Sequence, residues 1–149
     1  MILIKNRQKK VPIDTIWLEQ CVERILTCLH YRDYDVGILI TTNTTIRTFN
    51  REYRHKDKAT DILSFPHHPT LVAGKRIKVV SEDDKNLGDL LISAQYVVKE
   101  AQKYGVSFEE RMVILLVHGI CHLLGYDHIE DHDYRRMRAK EAFILKKIR

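Results

Sequence analysis

Cysteine is scarce and odd in number: Cys21, Cys28 and Cys121 are the only three in 149 residues. An odd count without a staple-like spacing excludes a disulfide-knit secreted scaffold. Cys21 and Cys28, seven apart on an apolar helical stripe, read as core packing. Long apolar runs are missing too, since none approaches the ~20 residues that span a bilayer. The opening residues, Met-Ile-Leu-Ile-Lys-Asn-Arg, have no basic start, apolar middle and small-residue cleavage site of a secretion signal. These absences predict a cytosolic (cytoplasmic) protein with no membrane partner. No internal repeat or linker-like stretch appears either, so the expectation is one domain over residues 1–149.

What is present fits a folded domain. Hydrophobic residues make up 44% and charged residues 30%, enough of both for a core and a solvated surface. The net charge of +5 is modest but concentrated. Arg135, Arg136, Arg138, Lys140, Lys146, Lys147 and Arg149 face only Glu141 in the last stretch, and Arg51, Arg54, Lys56 and Lys58 form a second group. Such clusters suit a polyanionic partner. On charge alone, solvated helix faces explain them better.

The hydrophobic pattern predicts an α+β fold. Residues 2–5, Asp35–Thr41, Ile62–Phe65 and Leu87–Ile92 read as strands, the third stopped by Pro66. Helices are expected from Asp14 to about residue 31, over about 44–53 behind Thr42 or Asn43, and from Ser93 to Gly105. Ser107 with Glu110 forms a capping-box pattern before a helix apolar on every face, and Asp131 or Asp133 starts a last basic helix. Trp17 reads as core. Residues 66–86 look like an exposed excursion, with Arg76–Val80 as a candidate edge strand and His67–His68 as loop residues. The sum is a small mixed sheet of about four strands with about five helices.

The chemistry gathers between His118 and His128. His118 and His122 are four apart, so they fall about 40° apart on one helix face and roughly 6 Å apart along its axis. Gly125 can take the left-handed conformation that ends a helix and turns the chain back, bringing His128 beside the other two. Three imidazoles leave a fourth tetrahedral position open, as catalytic zinc requires. One histidine on an apolar helix is usually a satisfied core residue. Three in this pattern would each need a separate buried partner unless they share a metal. Cys121 points too far around the helix to join them.

The spacing H-x-x-x-H-x-x-G-x-x-H equals that of the metzincin proteases, so the helix reads as zincin-like. Those enzymes carry Glu directly after the first histidine as general base. Here that residue is Gly119. Without that base, peptide hydrolysis is the weaker reading. Gly119 instead allows close approach to the helix, by a bulky substrate or by a packed neighbour.

Residues 118–128, HGICHLLGYDH, resemble the signature HGxLHLxGYDH of the YbeY family of metal-dependent bacterial endoribonucleases. The stretch from Phe49 to Pro66 resembles that family's LNxxYRxKDxxTDVLSFP, and Leu87–Ser93 resembles its LGDIxIS. Phe49, Cys121 and Ala59 are small departures, and none removes a ligand. The resemblance implies one zinc ion on His118, His122 and His128, and Arg54 as the functional arginine. It implies cleavage of single-stranded RNA in small-subunit ribosomal RNA maturation, with a ribosomal protein or assembly GTPase as partner. Arg54 suits the role because a guanidinium grips phosphate bidentately and stays charged; the competing reading is a salt bridge to Asp57 or Asp61. Asp127 could orient an imidazole or cap the following turn. Thr60 and Asp61 are expected to brace the turn into the Ile62 strand, and Asp89 to support the site from its strand. Arg51, Lys56, Lys58, Arg135, Arg136 and Arg138 are candidate RNA contacts. His132 has no expected role beyond exposure. The nucleophile, water or the RNA 2′-hydroxyl, is left open. A hydrolase of another bond, or an assembly factor with structural zinc, are the alternatives.

Overall fold

The computed structural model describes residues 1–149. The order is β1 (Ile2–Asn6), α1 (Thr15–Cys28), β2 (Asp35–Thr41), α2 (Asn43–Arg54), β3 (Ile62–Pro66), a short 3-10 turn (Glu82–Asp84), β4 (Asn86–Ser93), α3 (Ala94–Tyr104), α4 (Phe108–Leu123) and α5 (Asp131–Ile148). The sheet runs β1-β2-β4-β3. The first three neighbours are parallel, because a helix separates β1 from β2 in the chain and β4 is reached by a long connection. β3 lies antiparallel on β4, with Ile62 opposite Ile92 and Leu63 opposite Leu91.

Side chains alternate across the sheet, so each strand feeds two layers. Val36, Ile38, Ile40, Leu90, Ile92 and Ile62 join the main core with α1, α4 and α5. Leu63 and Leu91 turn to the other face and meet Ile46 of α2. Four of the five helices start on their expected caps, while α5 follows Glu130, whose side chain makes no cap bond. Asp14, Thr42, Ser93 and Ser107 accept from the N–H groups of Trp17, Thr45, Tyr96 and Glu110.

Residues 76–80 are not an edge strand. The Ile77 N–H donates to the Tyr31 hydroxyl, and the Arg76 guanidinium donates to the Leu29 and His30 carbonyls. It also lies 3.9 Å from the Tyr31 ring centre. The Ile77 N–H is taken by the Tyr31 hydroxyl and the Val80 N–H by the Asp84 carboxylate, so neither is paired with a neighbouring strand. The excursion is therefore pinned to the core by Arg76 and buried Ile77.

α4 sits close over the sheet because Gly119 lacks a side chain. A Cβ there would lie 2.6 Å from the Ile62 Cδ1 and 2.9 Å from the Leu90 Cδ2. Ser64 of β3 adds a hydroxyl donated to the Gly119 carbonyl at 3.4 Å. The glycine thus serves a packed neighbour, and a side chain at this position would start against Ile62 and Leu90 of the sheet.

Candidate metal centre

The two helical histidines leave the last turns of α4 together. After Leu124 the chain reverses at Gly125, whose φ is +91°. A Cβ at Gly125 would lie 2.3 Å from the Leu71 carbonyl oxygen, so both conformation and space call for glycine. The Gly125 N–H donates to the His122 carbonyl and the Tyr126 N–H to the Cys121 carbonyl. That reversal brings His128 beside His118 and His122. The three side chains each offer one ligand atom, all within 4.8 Å of one another.

The outer nitrogens decide how the rings are protonated. His122 Nδ1 lies 2.9 Å from the Tyr126 carbonyl oxygen, which can only accept, so Nδ1 carries the proton. His118 Nδ1 lies 2.8 Å from a Glu141 carboxylate oxygen, and the same logic applies. Both Nε2 atoms then present lone pairs, and they face each other at 3.1 Å. Two lone pairs at that distance repel unless a cation lies between them. A tetrahedral ion with bonds of about 2.05 Å would separate its ligand nitrogens by roughly 3.3 Å. The residues therefore fit a metal ion, and an all-imidazole donor set suits zinc, copper, nickel or iron. Burial, with the neighbouring His118 and His128 adding to it, pushes the His122 pKa down to about 4. Its neutral, ligating form dominates at neutral pH. His128 is the exposed member.

A cleft joins this triad to Arg54. Its walls include Arg54, Thr60, Asp61, Ser64, Asp127 and the three histidines. Arg54 ends α2, which His55 closes in the left-handed conformation. Asn50 holds the following loop by donating to the Lys58 carbonyl at 2.9 Å. Asp57 pairs with Arg47 at 2.9 Å and more distantly with Arg51 at 3.9 Å, while Asp61 turns to Arg111. Arg54 has neither of the two salt bridges open to it in the sequence. Its charge is exposed and uncommitted beside the triad.

The other expected residues divide. Asp61 accepts the Ile62 N–H at 2.7 Å and lies 3.4 Å from the Thr60 hydroxyl, so both brace the entry to β3. Asp127 accepts the Ile129 N–H at 3.3 Å, which makes it a turn cap at the cleft wall. Asp89 does not join the site. It shares the sheet face of Leu91, opposite the face that packs on α4, and fills the space above Gly37. Lys56, Lys58 and Arg135 are exposed. Arg136 donates to the Ala73 carbonyl at 2.9 Å, which ties α5 to the excursion. Arg138 lines a second hollow beyond His118 and His128, with Tyr134, Arg111 and Glu141. Burial holds the Cys121 thiol up to about 12, so it stays protonated and out of the site. His68 is engaged with the Asp84 carbonyl and His132 with Asp133, away from the triad. Glu141 and the Tyr126 carbonyl were not anticipated. The one available signal was that Glu141 is the sole acid within residues 135–149.

Fold and site together define an α+β domain with a three-histidine centre able to hold a metal ion. The family model for Endoribonuclease YbeY matches residues 3–149. An Endoribonuclease YbeY from Geobacter metallireducens is 42% identical over 146 residues, covering 97% of this chain and 93% of that protein. One from Homo sapiens is 33% identical over 144 residues, covering 97% and 86%. A solution structure of a Thermotoga maritima protein superposes with a TM-score of 0.64 at 24% identity, covering 99% of this chain and 89% of that one. The chain belongs to the Endoribonuclease YbeY family. No helix is long and apolar enough to cross a membrane.

Proposed function

We propose that this protein is a zinc-dependent endoribonuclease that cuts single-stranded RNA in the cytoplasm during maturation of the small-subunit ribosomal RNA 3′ end. One observation carries the reading: two Nε2 lone pairs 3.1 Å apart open on the cleft that an unpaired arginine also lines. His118, His122 and His128 would hold the ion, which supplies Lewis acidity at the scissile phosphate. Arg54 grips a non-bridging phosphate oxygen pair and offsets the charge that builds on a five-coordinate phosphorus. Asp61 and Thr60 keep β3, and with it the cleft wall, in register. Lys56, Lys58, Arg51, Arg135 and Arg138 follow the RNA backbone, so affinity falls with added salt. Few aromatics stand among those basic residues, so base selectivity is weak and a ribosomal protein or assembly GTPase supplies the address.

Two observations weigh against the alternatives. The position where a zinc protease keeps its general base holds Gly119, which has no base, and a Cβ there would already crowd Ile62 and Leu90. A purely structural ion suits a closed site, whereas His128 is exposed and the cleft is open.

The deciding experiment measures bound zinc and RNA cleavage for wild type, His122→Ala and Arg54→Ala. His122→Ala should lose both zinc and cleavage. Arg54→Ala should keep zinc and lose about 10²–10³ in rate, as removal of one charge-stabilising donor does. Full cleavage by zinc-free wild type would end the proposal.

A further inference from the structure

Glu141 stands where a helix rarely keeps a carboxylate. Met137, Glu141, Ile144 and Ile148 follow one another at steps of four, three and four, on the face that α5 turns to the core. Met137 and Ile144 are fully enclosed, and the Glu141 side chain is only 15% exposed. A carboxylate in such a place is costly unless it is hydrogen-bonded and its charge is answered. No lysine or arginine forms an ion pair with it; Arg111, which lines the same hollow, is held by Glu100 and Asp61. Lys140 lies over the Phe143 ring and Arg138 over the Tyr134 ring, and neither forms an ion pair with Glu141. Its one partner is His118 Nδ1, at 2.8 Å.

A neutral imidazole satisfies the hydrogen bond but leaves the charge unanswered. A cation on the far nitrogen of the same ring would answer it through the ring. We infer that Glu141 is a positioning residue for the metal centre, holding His118 with its proton on Nδ1 so that Nε2 faces the ion. This rests on the metal reading given above. The acid comes from α5 while both helical ligands come from α4, so the basic helix cannot dock without also setting the ligand. Carboxylate partners of this kind typically shift metal affinity by 10–100-fold.

The test uses the whole chain with zinc alone as probe. Zinc affinity is measured by competition with a chromophoric chelator for wild type, Glu141→Ala and Glu141→Gln. Glu141→Ala should bind zinc about 10–100-fold more weakly. Glu141→Gln keeps an acceptor oxygen and should recover part of that loss. Long-range proton–nitrogen NMR on zinc-free wild type should place the His118 proton on Nδ1, and Glu141→Ala should move it toward Nε2. A purely structural tie between α5 and α4 would change melting and leave both readouts alone. Equal zinc affinity in folded Glu141→Ala would overturn the inference while leaving the metal site standing. A wild-type His118 carrying its proton on Nε2 would overturn it without any variant. Wild-type protein that takes up no zinc would remove the metal reading and this inference with it.

Discussion

Replacing Gly119 by alanine sets two effects of opposite sign against each other. Inside an exposed helix the change gains about 1 kcal/mol, because alanine loses less backbone freedom. Here the new methyl would lie 2.6 Å from the Ile62 Cδ1 and 2.9 and 3.2 Å from the two Leu90 methyls. All three are side-chain tips, so the clash is relieved by rotation if there is room. There is little: Leu90 is 1% and Ile62 8% exposed, both inside the main core. Overpacking of this kind costs about 1–3 kcal/mol. The expected net is a loss of roughly 1 kcal/mol, or about 2–4 °C in melting temperature for a chain of this size. Urea unfolding of the metal-free protein measures it. A stabilisation of about 1 kcal/mol would refute the close-packing account, because propensity alone would then explain the result. Gly119→Glu, which restores the protease pair, is the harsher case. Its side chain would leave the helix into the space that Ile62 and Leu90 fill, a loss of roughly 3 kcal/mol or more. A stable Gly119→Glu variant with new peptidase activity would show that position 119 faces the site after all.

Gly125→Ala should cost about 1–3 kcal/mol, since φ is +91° and the obstacle is the Leu71 carbonyl rather than a movable side chain. Zinc titration should show weaker binding as His128 is displaced, and unchanged melting would contradict the strained turn. Acid should weaken the metal-free protein through His122. Its folded pKa of about 4 lies below the ordinary 6.5, so the unfolded chain binds the extra proton between those values. Stability is full above 6.5 and is lost as pH falls to about 4, by about 3 kcal/mol in total. Urea midpoints against pH should therefore flatten in His122→Asn. Cys121, buried and with its thiol held up to about 12, should resist thiol reagents in the native state while half-buried Cys28 reacts. Prompt labelling of Cys121 in folded protein would contradict its burial.

Features set by neighbours in the chain were legible in the sequence. The strands, the caps Asp14, Ser93 and Ser107, and the triad spacing through Gly125 all depend on residues within about ten positions of one another. Features set by distant partners were not. Arg76 offered no local sign that it would reach the end of α1, so 76–80 passed for a strand through its branched apolar residues alone. Asp89 is an instructive middle case. Its period-2 neighbours place it with Leu91 and opposite Leu90 and Ile92, so strand alternation already argued against a site role once the core face was known.

Gly119 and Glu141 are two halves of the same limit. Each is an exception to its surroundings, a glycine in a helix interior and an acid in a basic segment. Each exception is visible in the sequence, but its cause lies across the fold. For Gly119 the cause is steric: β3 and β4 pass within contact of the α4 backbone. For Glu141 it is electrostatic: a carboxylate on a buried face needs a counter-charge, and the nearest group is an imidazole that can relay one. The protease spacing therefore survives while its general base does not. The base position has been spent on helix–sheet packing, and the acid beside the triad arrives from α5, behind His118 rather than in front of it. A carboxylate bonded to the far side of a ligand ring can orient that ligand. It cannot take a proton from a nucleophile on the open side, and that separates this centre from the peptidases whose spacing it shares.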